Sequence, residues 1–287
     1  MPPNEVCKLE KGAYGFIDVP YQWYQAISEE LQRLGFSQSP FDPCQFILRH
    51  PQAGHLEGAL GLHVDDGICG GSDYFVEKLT QLEKKYPFGS KKIKQFTFTR
   101  IEMDQLPNGT ITMKQSIDPI KIPMERRQQP DSKITEEERQ TLQGLIGSLQ
   151  YVAVHTRPDL SSRLSTLQSS INSATINTLI SANQALHEAK KYHDTTIQIQ
   201  PIPIEDFRFL AFSDASFASK ANPSSHTGSI IMGTHRSIRD NVSCPVSPLS
   251  WGCKKIQRVV TSTLAAETVS LNAVPSVMDA LMLGLDA

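Results

Sequence analysis

Between Tyr21 and Leu34 the apolar side chains fall at Trp23, Ile27, Leu31 and Leu34, the three- and four-residue steps of an amphipathic helix that Gly35 ends. The period then shortens. Gln45–Arg49, Ala59–Val64 and Ile68–Gly70 are short apolar runs, and Asp66-Gly67 between the last two predicts a β-hairpin with Asp65 and Asp66 at its tip. Ser72 or Asp73 caps a second helix through Phe75, Leu79 and Leu82, closed by Pro87-Phe88-Gly89. Phe96–Met103 and Thr110–Met113 alternate apolar with polar positions around Asn108-Gly109, which predicts a second hairpin.

From Thr135 the pattern is helical again. Thr135 and Glu138 have the spacing of a capping box, and Leu142, Leu145, Ile146, Leu149 and Val152 form one stripe. Arg157-Pro158-Asp159 interrupts it, Leu160, Leu164 and Leu167 resume it, and Leu179, Ala182, Leu186 and Ala189 mark a third helix. These stripes predict core packing. Pro201 and Pro203 make the stretch from Gln198 read as a linker, because proline suits neither a helix interior nor a central strand. Beyond it, Phe207–Phe212, Gly228–Met232 and Leu249–Trp251 predict strands, with a helix from Thr263: a β-β-β-α order typical of a small mixed domain.

Composition changes this picture in three places. With 287 residues, 39% of them hydrophobic and 20% charged, the chain is long enough for a buried core. No apolar run reaches the roughly 18–20 residues of a membrane span, and the first residues lack a signal-peptide pattern, so an intracellular setting, cytoplasm or nucleus, with no membrane partner is expected. The five cysteines never form C-x-x-C, which predicts reduced thiols rather than disulfides or a zinc knuckle. Net charge is −2, yet residues 78–128 hold eleven Lys/Arg against five Asp/Glu, leaving that segment at +6 and the remainder at −8. Such a block, with Lys91, Lys92 and Lys94 at its centre, is either a phosphate-facing surface or a solvated face.

Adjacent carboxylates at Asp65 and Asp66 suit a hard oxygen-liganded ion such as Mg²⁺, and equally suit an ordinary polar turn. Asp214 after an apolar strand and Glu267 at the start of a helix form a second acidic pair in prospect. Each alone reads as structural, Glu267 as a favourable charge near a helix N-terminus.

Lys8-Leu9-Glu10-Lys11-Gly12-Ala13-Tyr14-Gly15, Pro20, Trp23-Tyr24, Asp42-Pro43-Cys44-Gln45-Phe46 and His63-Val64-Asp65-Asp66 together resemble the reverse transcriptase of copia-type retrotransposons. Gly147-Ser148-Leu149-Gln150-Tyr151 with Thr156-Arg157-Pro158-Asp159-Leu160 is similar to a signature near that enzyme's end. Ser213-Asp214-Ala215-Ser216, Leu249-Ser250-Trp251 and Ser262-Thr263-Leu264-Ala265-Ala266-Glu267 resemble its tethered ribonuclease H.

The resemblance implies an α/β (α+β) chain: a partial polymerase palm and start of the thumb over 1–128, thumb and connection helices over 129–197, a linker over 198–206, and an incomplete ribonuclease H-like domain over 207–287. It implies RNA-directed DNA synthesis and cleavage of the RNA strand of a hybrid, with Asp65, Asp66, Asp214 and Glu267 as catalytic metal ligands for Mg²⁺ or Mn²⁺. Lys91, Lys92 and Lys94 would contact an RNA template or RNA–DNA hybrid, with deoxynucleoside triphosphates as substrates. Two family acids, one upstream of residue 1 and one on a strand beyond Ala287, have no counterpart in this sequence. His63 stands where the family is usually aromatic, and Ile17, Asp18 and Tyr21 stand where it is usually Lys, Gln and Arg. The expectation is a segment inactive by itself. The competing expectation is a non-catalytic nucleic-acid-binding remnant of a retroelement, and a third is an unrelated Mg²⁺-dependent hydrolase using Asp214 and Glu267.

Overall fold

The computed structural model describes residues 16–117, 129–218 and 224–286. Lys8–Gly15, and the part of the basic segment from 118 to 128, lie outside them. The chain divides into two compact units, one running through Lys91 and including the residues from Ala280 onward, the other Lys92–Asp279. Helix and sheet are mixed in both, as an α+β reading requires.

In the first unit, helix α1 (Val19–Arg33) leads into a sheet of β1 (Phe36–Gln38), β2 (Gln45–Arg49), β3 (Leu56–His63) and β4 (Asp66–Gly71), antiparallel throughout and in chain order, followed by α2 (Asp73–Lys85). Ser72 is the cap of α2: its hydroxyl accepts from Phe75 N at 3.3 Å. The predicted stripes become the core, in which Ile27, Leu31, Phe46, Leu48, Leu60, Phe75 and Leu82 are buried together. Gly58 and Gly71 pair directly across β3 and β4, and this doubled lack of Cβ makes the space that the Phe75 ring fills.

The second unit begins with another antiparallel sheet, β5 (Gln95–Phe98), β6 (Ile101–Gln105), β7 (Ile111–Lys114) and β8 (Ile197–Ile199). Helices α3 (Glu136–His155), α4 (Ser161–Ser170) and α5 (Ile176–Lys191) share one core in which Leu142, Leu149, Leu164, Leu179, Ala182 and Ala189 are fully buried. The capping box of α3 is complete, Thr135 N donating to Glu138 at 2.7 Å and Glu138 N to the Thr135 hydroxyl at 3.3 Å. A third sheet, β9 (Phe207–Ser216), β10 (His226–His235) and β11 (Val246–Lys255) in the order β11-β10-β9, precedes α6 (Thr263–Asp286).

Two expectations need correction here. The run Phe96–Met103 is not one strand, because the chain turns at Thr99-Arg100, both at positive φ (47° and 66°), and Tyr151 Oη holds the turn by donating to Thr99 O at 2.6 Å. The stretch from Gln198 is not wholly a linker. Ile197–Ile199 pair with Met113–Ile111 on β7, and Gln200 N donates to Ser247 Oγ at 2.8 Å. Proline stops the ladder only from Pro201.

Arg157 explains the break after α3. Its side chain is 3% exposed, pairs with the Asp159 carboxylate at 2.7 Å, and donates through Nη1 to the carbonyls of Ala189 (3.1 Å) and Tyr192 (3.0 Å). Ala189 is in the last turn of α5, where no further helical N–H reaches its carbonyl, and the carbonyl of Tyr192, the C-cap, also accepts from Thr195 N at 3.2 Å. The Thr156–Leu160 stretch that carried part of the family resemblance is therefore a clamp between helices.

Candidate functional site

Asp65 and Asp66 do lie at the end of the β3–β4 hairpin, but the turn is two residues earlier than Asp66-Gly67 predicts. His63 pairs with Asp66 and Leu62 with Gly67, so the two tip residues are Val64 and Asp65, and Val64 takes the positive φ (57°). A β-branched residue is costly there. Two tertiary contacts fix the register nonetheless: the Gly58–Gly71 pair around Phe75, and Trp23 Nε1, which donates to Val64 O at 3.1 Å. Trp23 is itself set edge-on against Tyr86, with ring centroids 5.3 Å apart. Both aspartates are exposed, at a tip held from α1.

Two buried carboxylates of this unit, one joining α1 to α2 and one at the start of β3, were missed by sequence reasoning. Glu30 on α1 has a side chain only 2% exposed, bonded to the Arg33 guanidinium and to Lys85 Nζ of α2 at 2.5 Å. The hydrogen bonds from Arg33 and then Lys85 pull its pKa from 4.5 to about 2. Because the folded value lies below the ordinary one, the resulting stabilisation is present above about pH 4.5 and is lost as pH falls from there toward 2. Urea unfolding followed through this range should show the wild-type midpoint falling, with a flatter response in Glu30→Gln. Parallel pH profiles would remove this role from Glu30. Glu57 is similarly buried: it accepts from the Ser72 hydroxyl and meets His55 Nε2 at 2.9 Å, and the Ser72 bond, with His55 nearby, lowers its pKa. The only sequence signal for either was an acid in an otherwise apolar helix or strand face.

Of the three lysines, Lys91 is bonded to Glu83 and lies over the Phe88 ring at 5.5 Å from its centroid. Lys92 and Lys94 are exposed, Lys94 at φ 68°. The structure thus divides a group that charge counting treats as equal.

Asp214 lies within β9 rather than after a strand, and Glu267 is the fifth residue of α6, past its first turn. Ser262 caps that helix, accepting from Ala265 N at 3.1 Å. Ser270, one turn beyond Glu267, donates to the main-chain carbonyl of Asp214 at 2.8 Å and also meets the Thr227 hydroxyl at 2.5 Å. The two acids therefore come from neighbouring pieces of main chain. Their faces differ. Asp214 pairs with Gly228, so alternation puts it on the face of Gly228 and His226, whose Nε2 lies 3.2 Å from Ser169 of α4; Thr227 and α6 occupy the other face.

Among the described residues no group of three or more His, Cys, Asp or Glu is placed to hold a metal ion. Mg²⁺ commonly takes one or two carboxylates and completes its shell with water and substrate phosphate. The Asp65-Asp66 donor set fits that requirement only where a phosphate ligand is supplied.

No family model matches the chain, and no solved structure matches it. Its similarities are to retroelement proteins. The chain is 28% identical over 288 residues to the retrovirus-related Pol polyprotein from transposon RE1 of Arabidopsis thaliana and 27% identical over 287 to that from transposon RE2, in each case covering 92% of this chain. It is 25% identical over 179 residues, 54% of this chain, to the retrovirus-related Pol polyprotein from transposon TNT 1-94 of Nicotiana tabacum. The chain spans 18% of the length of the RE1 and RE2 polyproteins. Among the described residues no helix is long and apolar enough to cross a membrane.

Proposed function

We propose that this chain corresponds to the reverse transcriptase and ribonuclease H part of a copia-like Pol polyprotein and that, by itself, it binds nucleic acid without catalysing synthesis. The observation that carries the reading is the braced hairpin tip that presents Asp65 and Asp66, in a chain similar to Pol polyproteins over nearly its whole length. The tip is the end that takes Mg²⁺ or Mn²⁺ when template, primer and deoxynucleoside triphosphate supply further oxygens; bound there, the ions would activate the primer oxygen and stabilise the leaving pyrophosphate. Asp214 and Glu267 belong to the ribonuclease H-like region. Inactivity is supported by the face on which Asp214 lies. Lys92 and Lys94, with a smaller share from Lys91, neutralise phosphates of an RNA template or RNA–DNA hybrid without reading sequence.

Two measurements test this. Fluorescence anisotropy with a labelled RNA–DNA hybrid should show affinity falling about 40-fold between about 50 and about 200 mM salt if three phosphates are neutralised. Lys92→Gln or Lys94→Gln should flatten that dependence more than Lys91→Gln. Salt-insensitive binding, or none, removes the role given to these lysines. In primer extension with Mg²⁺, the chain should match an Asp65→Ala, Asp66→Ala variant. Extension that this double substitution abolishes would overturn the non-catalytic reading and establish the tip as a working metal site.

A further inference from the structure

Two adjoining hollows, each of about 560 Å³, share Arg163 and Gln184 and so make one groove along α4 and α5. Each is in the size range of a ligand site. One end is lined by Arg163, His187, Lys191 and Tyr192. Arg163 pairs with Glu188 through Nη1, with both side chains nearly half exposed, and a guanidinium has five N–H groups, so this pair does not exhaust it. Lys191 Nζ lies 5.2 Å from the centroid of the Tyr192 ring, which is 47% exposed. Cations beside an exposed aromatic ring suit a phosphate and a stacked base. The other end offers acceptors. Thr166 and Ser170, one helical turn apart on α4, donate their hydroxyl protons to the carbonyls of Ser162 (3.2 Å) and Thr166 (3.0 Å). Asp159, at that end too, is paired with Arg157. A hydroxyl used in this way keeps its lone pairs but has no proton to give, so it does not suit a phosphate oxygen. It suits a ribose 2′-hydroxyl, the donor that deoxyribose lacks.

We propose that this groove binds single-stranded RNA in preference to DNA, with phosphates at Arg163 and Lys191, a base against Tyr192, and 2′-hydroxyls donating to Thr166 and Ser170. The proposal rests on the reading of the chain as a nucleic-acid-binding part of a Pol polyprotein, and adds to it a second contact and a choice of sugar. Packed helices lie about 8–10 Å apart, a spacing that admits one strand and not a duplex. Glu188, beside Arg163, opposes the phosphates and keeps the binding weak.

The test is fluorescence anisotropy with a short labelled oligouridylate and the oligodeoxyuridylate of equal length, on the full chain carrying Lys92→Gln and Lys94→Gln so that those lysines add nothing. The RNA should bind about fivefold or more tightly than the DNA, as two hydrogen bonds to 2′-hydroxyls predict. Thr166→Val with Ser170→Ala should weaken the RNA alone, to the affinity of the DNA, whereas Arg163→Gln and Tyr192→Ala should weaken both strands alike. Glu188→Gln should tighten both about threefold, a gain that no misfolded variant shows. Absence of RNA binding in this background, equal affinity for the two strands, an RNA preference that survives the Thr166 and Ser170 changes, or no gain from Glu188→Gln would each overturn the proposal. Failure of the role given to Lys92 and Lys94 shows separately, as hybrid binding that does not respond to salt.

Discussion

Arg157→Ala is expected to destabilise the helical unit by about 3–5 kcal/mol, among the largest effects of any single change here. The guanidinium is buried and has three partners with unequal fates once it is gone. Asp159 is 48% exposed and rehydrates. The carbonyl of Ala189, a fully buried residue in the last turn of α5, loses this donor, whereas that of Tyr192 keeps its bond from Thr195 N at 3.2 Å. An unsatisfied buried polar group costs about 1–3 kcal/mol, and the lost side-chain volume adds to this. Arg157→Lys keeps a charge but not the forked geometry, so it should recover only part of the loss. Equilibrium urea unfolding gives the answer, and a loss below about 1 kcal/mol for Arg157→Ala would mean that water reaches the Ala189 carbonyl.

Gly58→Ala is expected to cost about 3 kcal/mol, the upper end of what overpacking costs in a core. A Cβ at this position would sit 2.7 Å from Gly70 O and overlap the Phe75 ring, while one at Gly71 would meet Phe75 Cγ at 2.5 Å and Glu57 O at 2.7 Å. Neither neighbour yields easily: Phe75 is 1% exposed, Gly70 is main chain within the ladder, and Glu57 O is held by Ser72 N at 2.8 Å. Adding Phe75→Leu to Gly58→Ala should return part of the stability, because it relieves the ring contact and leaves the carbonyl contact. A cost for Gly58→Ala within about 0.5 kcal/mol of zero would show that the glycine pair does not form the space for Phe75. If the pair does set the hairpin register, Gly58→Ala should also weaken whatever the Asp65-Asp66 tip binds, although the site is at the other end of β3.

Features whose causes lie within a few residues were legible in the sequence. Leucine stripes at three and four spacing became the core of α3, α4 and α5, the caps of α2 and α3 form from Ser72 and from Thr135 with Glu138, and Asn108-Gly109 makes its turn with Gly109 at φ 87°. The adjacency of Asp65 and Asp66 at a hairpin end was legible for the same reason. What required the tertiary structure was register, face and partner. The hairpin turns at Val64-Asp65 because Trp23 and Phe75, both outside it, hold the pairing, and Thr99-Arg100 turns without glycine because Tyr151 binds its carbonyl from α3. Lys91 is tied to Glu83 eight residues earlier, and Asp214 faces away from α6 because Gly228 is its partner on β10. A periodicity records which residues share a face of their own element; which other element covers that face is decided by contacts between residues far apart in the chain.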